Sequence, residues 1–195
     1  MFRQIHAGVI VLALLLTACG EATQEKETDA TNNVELETSL NAASDRVSSV
    51  ELIPLSFREW ETRRDGFAPK ILVVDLWATW CPPCLEKFPH MVEMHRKYQD
   101  RGVQVVTLSL DDRDDPASVE FAKEFLVSQN ATFPNFFLDE NIMDAFEMVG
   151  IQTVPAIHIY DRNGNLVADL NDDNPNNQFS DEDVEKAILA LLDES

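Results

Sequence analysis

Ile71-Leu72-Val73-Val74-Asp75-Leu76-Trp77-Ala78-Thr79-Trp80-Cys81-Pro82-Pro83-Cys84 decides the fold. Residues 71–77 are a near-continuous apolar run, the pattern of a strand buried on both faces of a parallel sheet. A helix is predicted to follow from about Pro83 to Asp100, stopped by Gly102. A Cys-x-x-Cys pair therefore stands where a buried strand hands over to a helix. Two intervening residues at a helix start bring both sulfurs within bonding reach, so dithiol and disulfide interconvert with little backbone movement. The helix N-terminus carries partial positive charge and free N–H groups that stabilise a thiolate. Cys81 is thus the candidate nucleophile. Cys84, one turn inward and expected to be less exposed, is the candidate resolving thiol that releases a mixed disulfide.

Outward from this stretch, strand and helix signals alternate, which predicts an α/β fold with a mostly parallel sheet. Upstream, Val50–Leu55 reads as a first strand, and Ser56-Phe57-Arg58-Glu59 as a capping box opening a short helix with Gly66 past its end. Downstream come a second central strand at Val103–Leu110 and a helix from Asp115-Pro116 to about Gln129. A short strand at Phe136–Leu138 and a short helix at Asn141–Val149, ended by Gly150, come next. Ala156–Tyr160 and Leu166–Leu170 flank the hairpin signal Arg162-Asn163-Gly164-Asn165. Ser180 caps a last amphipathic helix with Val184, Ile188, Leu191 and Leu192 on one face.

Charge excludes one class of partner. With 35 acidic against 15 basic residues the formal net charge is -20. Such a surface repels phosphate backbones, and no basic stripe offsets it, so nucleic-acid binding is not expected. It would also be pushed from anionic headgroups, so any membrane contact needs another source. The N-terminus supplies one. Ala7–Leu16 is an apolar run too short to span a bilayer and fits the core of an export signal. Leu16-Thr17-Ala18-Cys19 resembles a bacterial lipobox, in which the cysteine is lipidated and becomes the mature first residue. An ordinary signal peptide with a chance cysteine is the plainer alternative; it would leave an unpaired thiol beside a redox site. The expected organisation is a lipoprotein signal peptide at 1–18, an acidic flexible tether at 19–48 carrying lipidated Cys19, and one folded domain at 49–195. The tether is rich in Thr, Asn, Glu and Asp, and would reach roughly 30 Å.

The three cysteines leave none for a structural disulfide once Cys19 is lipidated. A Cys-x-x-Cys is also half of many zinc sites, but no second pair exists and His90, His95 and His158 are scattered. No metal and no cofactor beyond a redox-active Cys81–Cys84 disulfide is expected. A copper-binding, metallochaperone-like module remains an alternative; it would need a third ligand close by. A peroxidase is a weaker one, because Trp80 before the pair fits disulfide exchange better. Asp75, six residues before Cys81, is expensive to desolvate inside an apolar strand and should be protonated unless it has a use.

These residues resemble the thioredoxin superfamily, in particular its membrane-tethered TlpA/ResA-like branch. The likeness covers roughly residues 50–193. Residues 71–89 look like the family's strand, active-site motif and kinked helix, with Pro89 as the kinking proline. Gly150-Ile151-Gln152-Thr153-Val154-Pro155 looks like its second active-site segment, about 70 residues on. The resemblance implies a thioredoxin-like fold, a central mixed sheet flanked by helices, with the branch's strand–helix insertion at about 113–149. It also implies a cis peptide before Pro155, backbone groups of Val154 offered to an extended substrate, and Asp75 relaying the proton of the resolving cysteine. Trp80, Pro82 and Pro83 are the remaining candidate substrate contacts. Trp77 and Trp80 would both limit water at the site, unless Trp77 is simply core. One departure is plain: where ResA-like members often carry a glutamate three residues after the second cysteine, this chain has Lys87, with Glu86 one residue earlier. A lysine there favours a nearby thiolate. His90 and His95 read as helix-surface residues.

The implied activity is thiol–disulfide exchange on exported proteins, apocytochromes c among them. A membrane electron donor, a monomeric state and an extracytoplasmic, lipid-anchored location go with it. Direction is less constrained. Pro82 and Pro83 lack N–H groups, leaving mainly the Cys84 amide for the Cys81 thiolate, and no histidine lies between the cysteines. Strong oxidants stabilise their reduced form, so a reducing or isomerase-like poise is expected, with net oxidation as the alternative.

Overall fold

The computed structural model describes residues 50–173 and 178–194, all within the unit Val47–Ser195. The expected signal peptide and tether, with Cys19, lie outside the described residues. Six strands form one mixed sheet: β1 (Leu52–Leu55), β2 (Ile71–Trp77), β3 (Val103–Ser109), β4 (Asn135–Leu138), β5 (Ala156–Tyr160) and β6 (Leu166–Asn171), in the order β1-β4-β3-β2-β5-β6. The pairs β1/β4, β4/β3 and β3/β2 are parallel; β2/β5 and β5/β6 are antiparallel. The 113–149 insertion therefore contributes an interior strand, β4, between β1 and β3.

Five helices are described: α1 (Phe57–Asp65), α2 (Pro82–Tyr98), α3 (Pro116–Ser128), α4 (Ile142–Val149) and α5 (Asp181–Asp193). Their starts follow the capping chemistry of the sequence. Ser56 and Ser180 form capping boxes with Glu59 and Asp183, while Asp115 and Asn141 accept amides of the first turns of α3 and α4. α2 begins at Pro82, one residue earlier than predicted, because Cys81 itself is the N-cap. It ends at Tyr98 and tightens into a 3-10 turn over Gln99–Arg101. Gly102 follows in the left-handed region, φ 83°, where a side chain would be strained.

β2 is the centre of the core. All seven of its residues are buried, including Asp75, as a strand with neighbours on both edges and helices on both faces requires. Fully burying each large apolar side chain stabilises the fold by about 1.5–3 kcal/mol. Trp77 sits with Phe88 of α2 and Phe125 of α3, ring centroids 5.4 Å away in each case, which fastens both helices to the end of β2. Trp77 is thus core, with no exposure. No helix among the described residues is long and apolar enough to cross a membrane.

Candidate active site

At the C-terminal end of β2 the chain turns through Ala78-Thr79-Trp80 into α2. Asp111, just beyond β3 and wholly buried, fixes this turn. Its carboxylate accepts the Thr79 N–H at 3.0 Å, the Thr79 hydroxyl at 2.6 Å and the Ser109 hydroxyl at 2.7 Å. The Cys81 N–H then donates to the Ala78 carbonyl at 3.2 Å. The backbone entering the motif is therefore held by a carboxylate from the neighbouring strand. Sequence reasoning missed Asp111; the only signal was an acid directly after a central strand, where α/β sites gather.

Cys81 and Cys84 are joined as a disulfide, S–S 2.03 Å, with Cα atoms 5.3 Å apart. The Cys84 N–H points at the Cys81 sulfur at 3.3 Å. The expected difference in exposure between the cysteines is corrected here: they are 4% and 3% exposed. The first turn of α2 buries both, since the exposed surface is taken by Pro82, Pro83 and half-exposed Trp80. What separates them is surroundings. Cys81 is the N-cap, whereas Cys84 lines a small cavity of about 10 Å³ with Asp75, Lys87 and Pro155.

Asp75 pairs with Thr107 of β3 and Ile157 of β5, in the middle of the sheet. Burial pushes its carboxyl up to about 7, with the Lys87 ammonium pulling the other way. Asp75 is therefore a buried acid on an interior strand, not a solvated one at a sheet edge. The Val154–Pro155 peptide is cis and both residues are buried. The Val154 N–H makes no hydrogen bond among the described residues. The Ala68–Pro69 peptide is also cis, which nothing in the sequence announced.

Trp80 stacks on Phe146 of α4, centroids 6.2 Å apart. The two rings, with Ile142, Met143 and Ile151, line an open, largely apolar groove of about 510 Å³ that reaches the motif at Trp80. The insertion thus supplies one wall of the site. The histidine reading needs correcting: His95 is half-buried with its ring 5.1 Å from that of Phe133, and burial, with Lys70 nearby, lowers its proton affinity. His90 Nδ1 lies 3.7 Å from Asp181. No group of three or more His, Cys, Asp and Glu that could hold a metal ion occurs among the described residues.

The chain matches the AhpC/TSA family over residues 48–169. It is 24% identical over 115 residues to the thiol-disulfide oxidoreductase ResA of Bacillus thuringiensis subsp. konkukian, covering 59% of this chain and 62% of that relative's length. Among solved structures, a Chlorobium tepidum protein assigned as the thiol:disulfide interchange protein DsbE is 30% identical with a TM-score of 0.53, covering 68% of this chain and 84% of the other. A thiol:disulfide interchange protein from Bacteroides sp. shares the fold with a TM-score of 0.52 at 19% identity, over 66% and 77% of the two chains.

Proposed function

The chain belongs to the AhpC/TSA family and to the ResA-like branch of the thioredoxin superfamily, and we propose that it is a thiol–disulfide oxidoreductase reducing disulfides in extracytoplasmic proteins. The observation that carries this reading is the Cys81–Cys84 disulfide at the N-terminus of α2. Once reduced, Cys81 attacks a substrate disulfide as the thiolate. One substrate sulfur leaves with the bonding electron pair, and a mixed disulfide remains. Cys84 gives its proton to Asp75 and attacks the Cys81 sulfur, which closes the ring and releases the second substrate thiolate. Pro155 covers the Cys84 side of the site, and the free Val154 amide suits an extended substrate backbone. Trp80, Pro82 and Pro83 form the exposed contact surface around the sulfurs.

The reducing direction rests on the first turn of α2. Among the described residues one amide, that of Cys84, points at the Cys81 sulfur, which is weak stabilisation of a thiolate compared with a strong oxidant. In this reading a membrane electron donor re-reduces the pair and Cys19 is lipidated. The enzyme works as a tethered monomer outside the cytoplasmic membrane, with apocytochromes c among its substrates. Trapping with Cys84→Ser tests it. Mixed disulfides on Cys81 with exported proteins are expected, and Cys81→Ala should abolish insulin reduction. Retention of that activity by Cys81→Ala would refute the mechanism.

A further inference from the structure

Lys87 lies one turn beyond Cys84 on α2 and is, among the described residues, the only lysine or arginine lining the cavity shared by Asp75 and Cys84. Its ammonium is held at three points. It donates to the Phe179 carbonyl at 3.1 Å, lies 4.0 Å from the centre of the Phe179 ring, and stands 3.7 Å from an Asp172 carboxylate oxygen. Asp172 is fixed in turn, because its other oxygen accepts the Phe179 N–H at 3.2 Å. A helix-surface lysine ordinarily samples many rotamers in water. This one is pinned along a cavity wall by a segment distant in sequence. A pinned cation beside a buried carboxylate favours the ionised carboxylate, and the cavity they share, about 10 Å³, has room for about one water at most.

We propose that Lys87 is a positioning residue for the resolving step: anchored by Phe179 and Asp172, its ammonium offsets part of the cost of burying the Asp75 carboxylate, so that the ionised form is present to accept the Cys84 proton. The proposal rests on the reading of Cys81 and Cys84 as a disulfide-exchange pair. The proton moves from the Cys84 thiol to the Asp75 carboxylate. The new Cys84–Cys81 bond forms as the Cys81–substrate bond breaks, and the electron pair leaves on the substrate sulfur. The other charged or titratable groups facing this cavity are Cys84 itself on α2 and Asp181 at the start of α5, whose carboxylate lies 3.7 Å from His90. β3 and β5 place Thr107 and Ile157 beside Asp75, and neither titrates.

The test follows the Asp75 carboxyl by NMR titration of the reduced full chain, together with the pH profile of single-turnover release of a mixed disulfide. Lys87→Gln should move the Asp75 midpoint to higher pH by about one unit. Resolution at neutral pH should then slow roughly five-fold, as fewer molecules carry the carboxylate. Lys87→Arg should restore both readouts, and Asp172→Asn should shift the midpoint in the same direction by less. A residue that only braces the fold would lower the melting temperature and leave the midpoint where it was. An unmoved midpoint in folded Lys87→Gln overturns the proposal; if that variant does not fold, an unmoved midpoint in Asp172→Asn does so. Absence of disulfide exchange by the wild-type protein would instead sink the enzyme reading, while the carboxyl titration would still show whether Lys87 favours the ionised form of Asp75.

Discussion

The Cys84 N–H donates to the Cys81 sulfur at 3.3 Å, and the two residues between them are prolines that can offer no second amide. Other helix starts can aim several N–H groups at a thiolate. Here, among the described residues, the sulfur has one. The motif therefore sets how readily the protein gives up electrons as well as where its sulfurs lie.

Pro83→Ala adds an N–H in the first turn of α2. A hydrogen bond to a charged group contributes about 1.5–3 kcal/mol, so the reduction potential should rise by on the order of 30 mV and the Cys81 thiol should ionise at lower pH. Equilibration with glutathione and alkylation rates across pH measure the two effects. An unchanged potential would mean that the Pro-Pro pair does not set the poise.

Asp75 ties stability to pH in an unusual sense for an acid. Its folded value, about 7, lies above the ordinary 3.8, so between these values the folded protein binds more protons than the unfolded chain. Stability contributed by the protonated form is complete below the unfolded value and is lost as pH rises toward 7. Asp75→Asn should therefore stabilise the protein by up to about 4 kcal/mol at pH 8 and far less at pH 4. Denaturant melts at the two pH values check the sign; a larger gain in acid would contradict it.

Asp111→Ala leaves the Thr79 N–H and both hydroxyls without their acceptor. Loss of a buried acceptor costs about 1–3 kcal/mol in stability. Because Thr79 leads directly into Trp80 and Cys81, the variant should also slow disulfide exchange. Urea melts and insulin turnover measure these together, and Asp111→Asn, which keeps an acceptor, should recover part of each.

The groove between Trp80 and α4 is expected to bind protein substrates and leave small ones alone. Trp80→Ala and Phe146→Ala should each lower kcat/KM for a protein disulfide about ten-fold, as truncating an aromatic anchor at an interface does. Turnover of a small aromatic disulfide should change little. Equal loss on both substrates would place these rings in the chemistry instead of in recognition.

Local chemistry determined much of this protein before any folding. The apolar run Ile71–Trp77, the prolines after Cys81, the capping residues Ser56, Asp115, Asn141 and Ser180, and the turn at Gly164 each act within a few residues. They fixed the elements and marked the reactive pair. Contacts between residues far apart in the chain had to await the tertiary structure. Asp111 meets Thr79 only because β3 lies beside β2; Phe146 reaches Trp80 only because the insertion helix sits against the motif. Lys87 was legible as a departure from the pattern the family resemblance implied, but its grip on Phe179 was not, since 92 residues separate them. The near-equal burial of Cys81 and Cys84 belongs with these, because burial depends on which neighbours cover a side chain, and periodicity within one helix cannot count them.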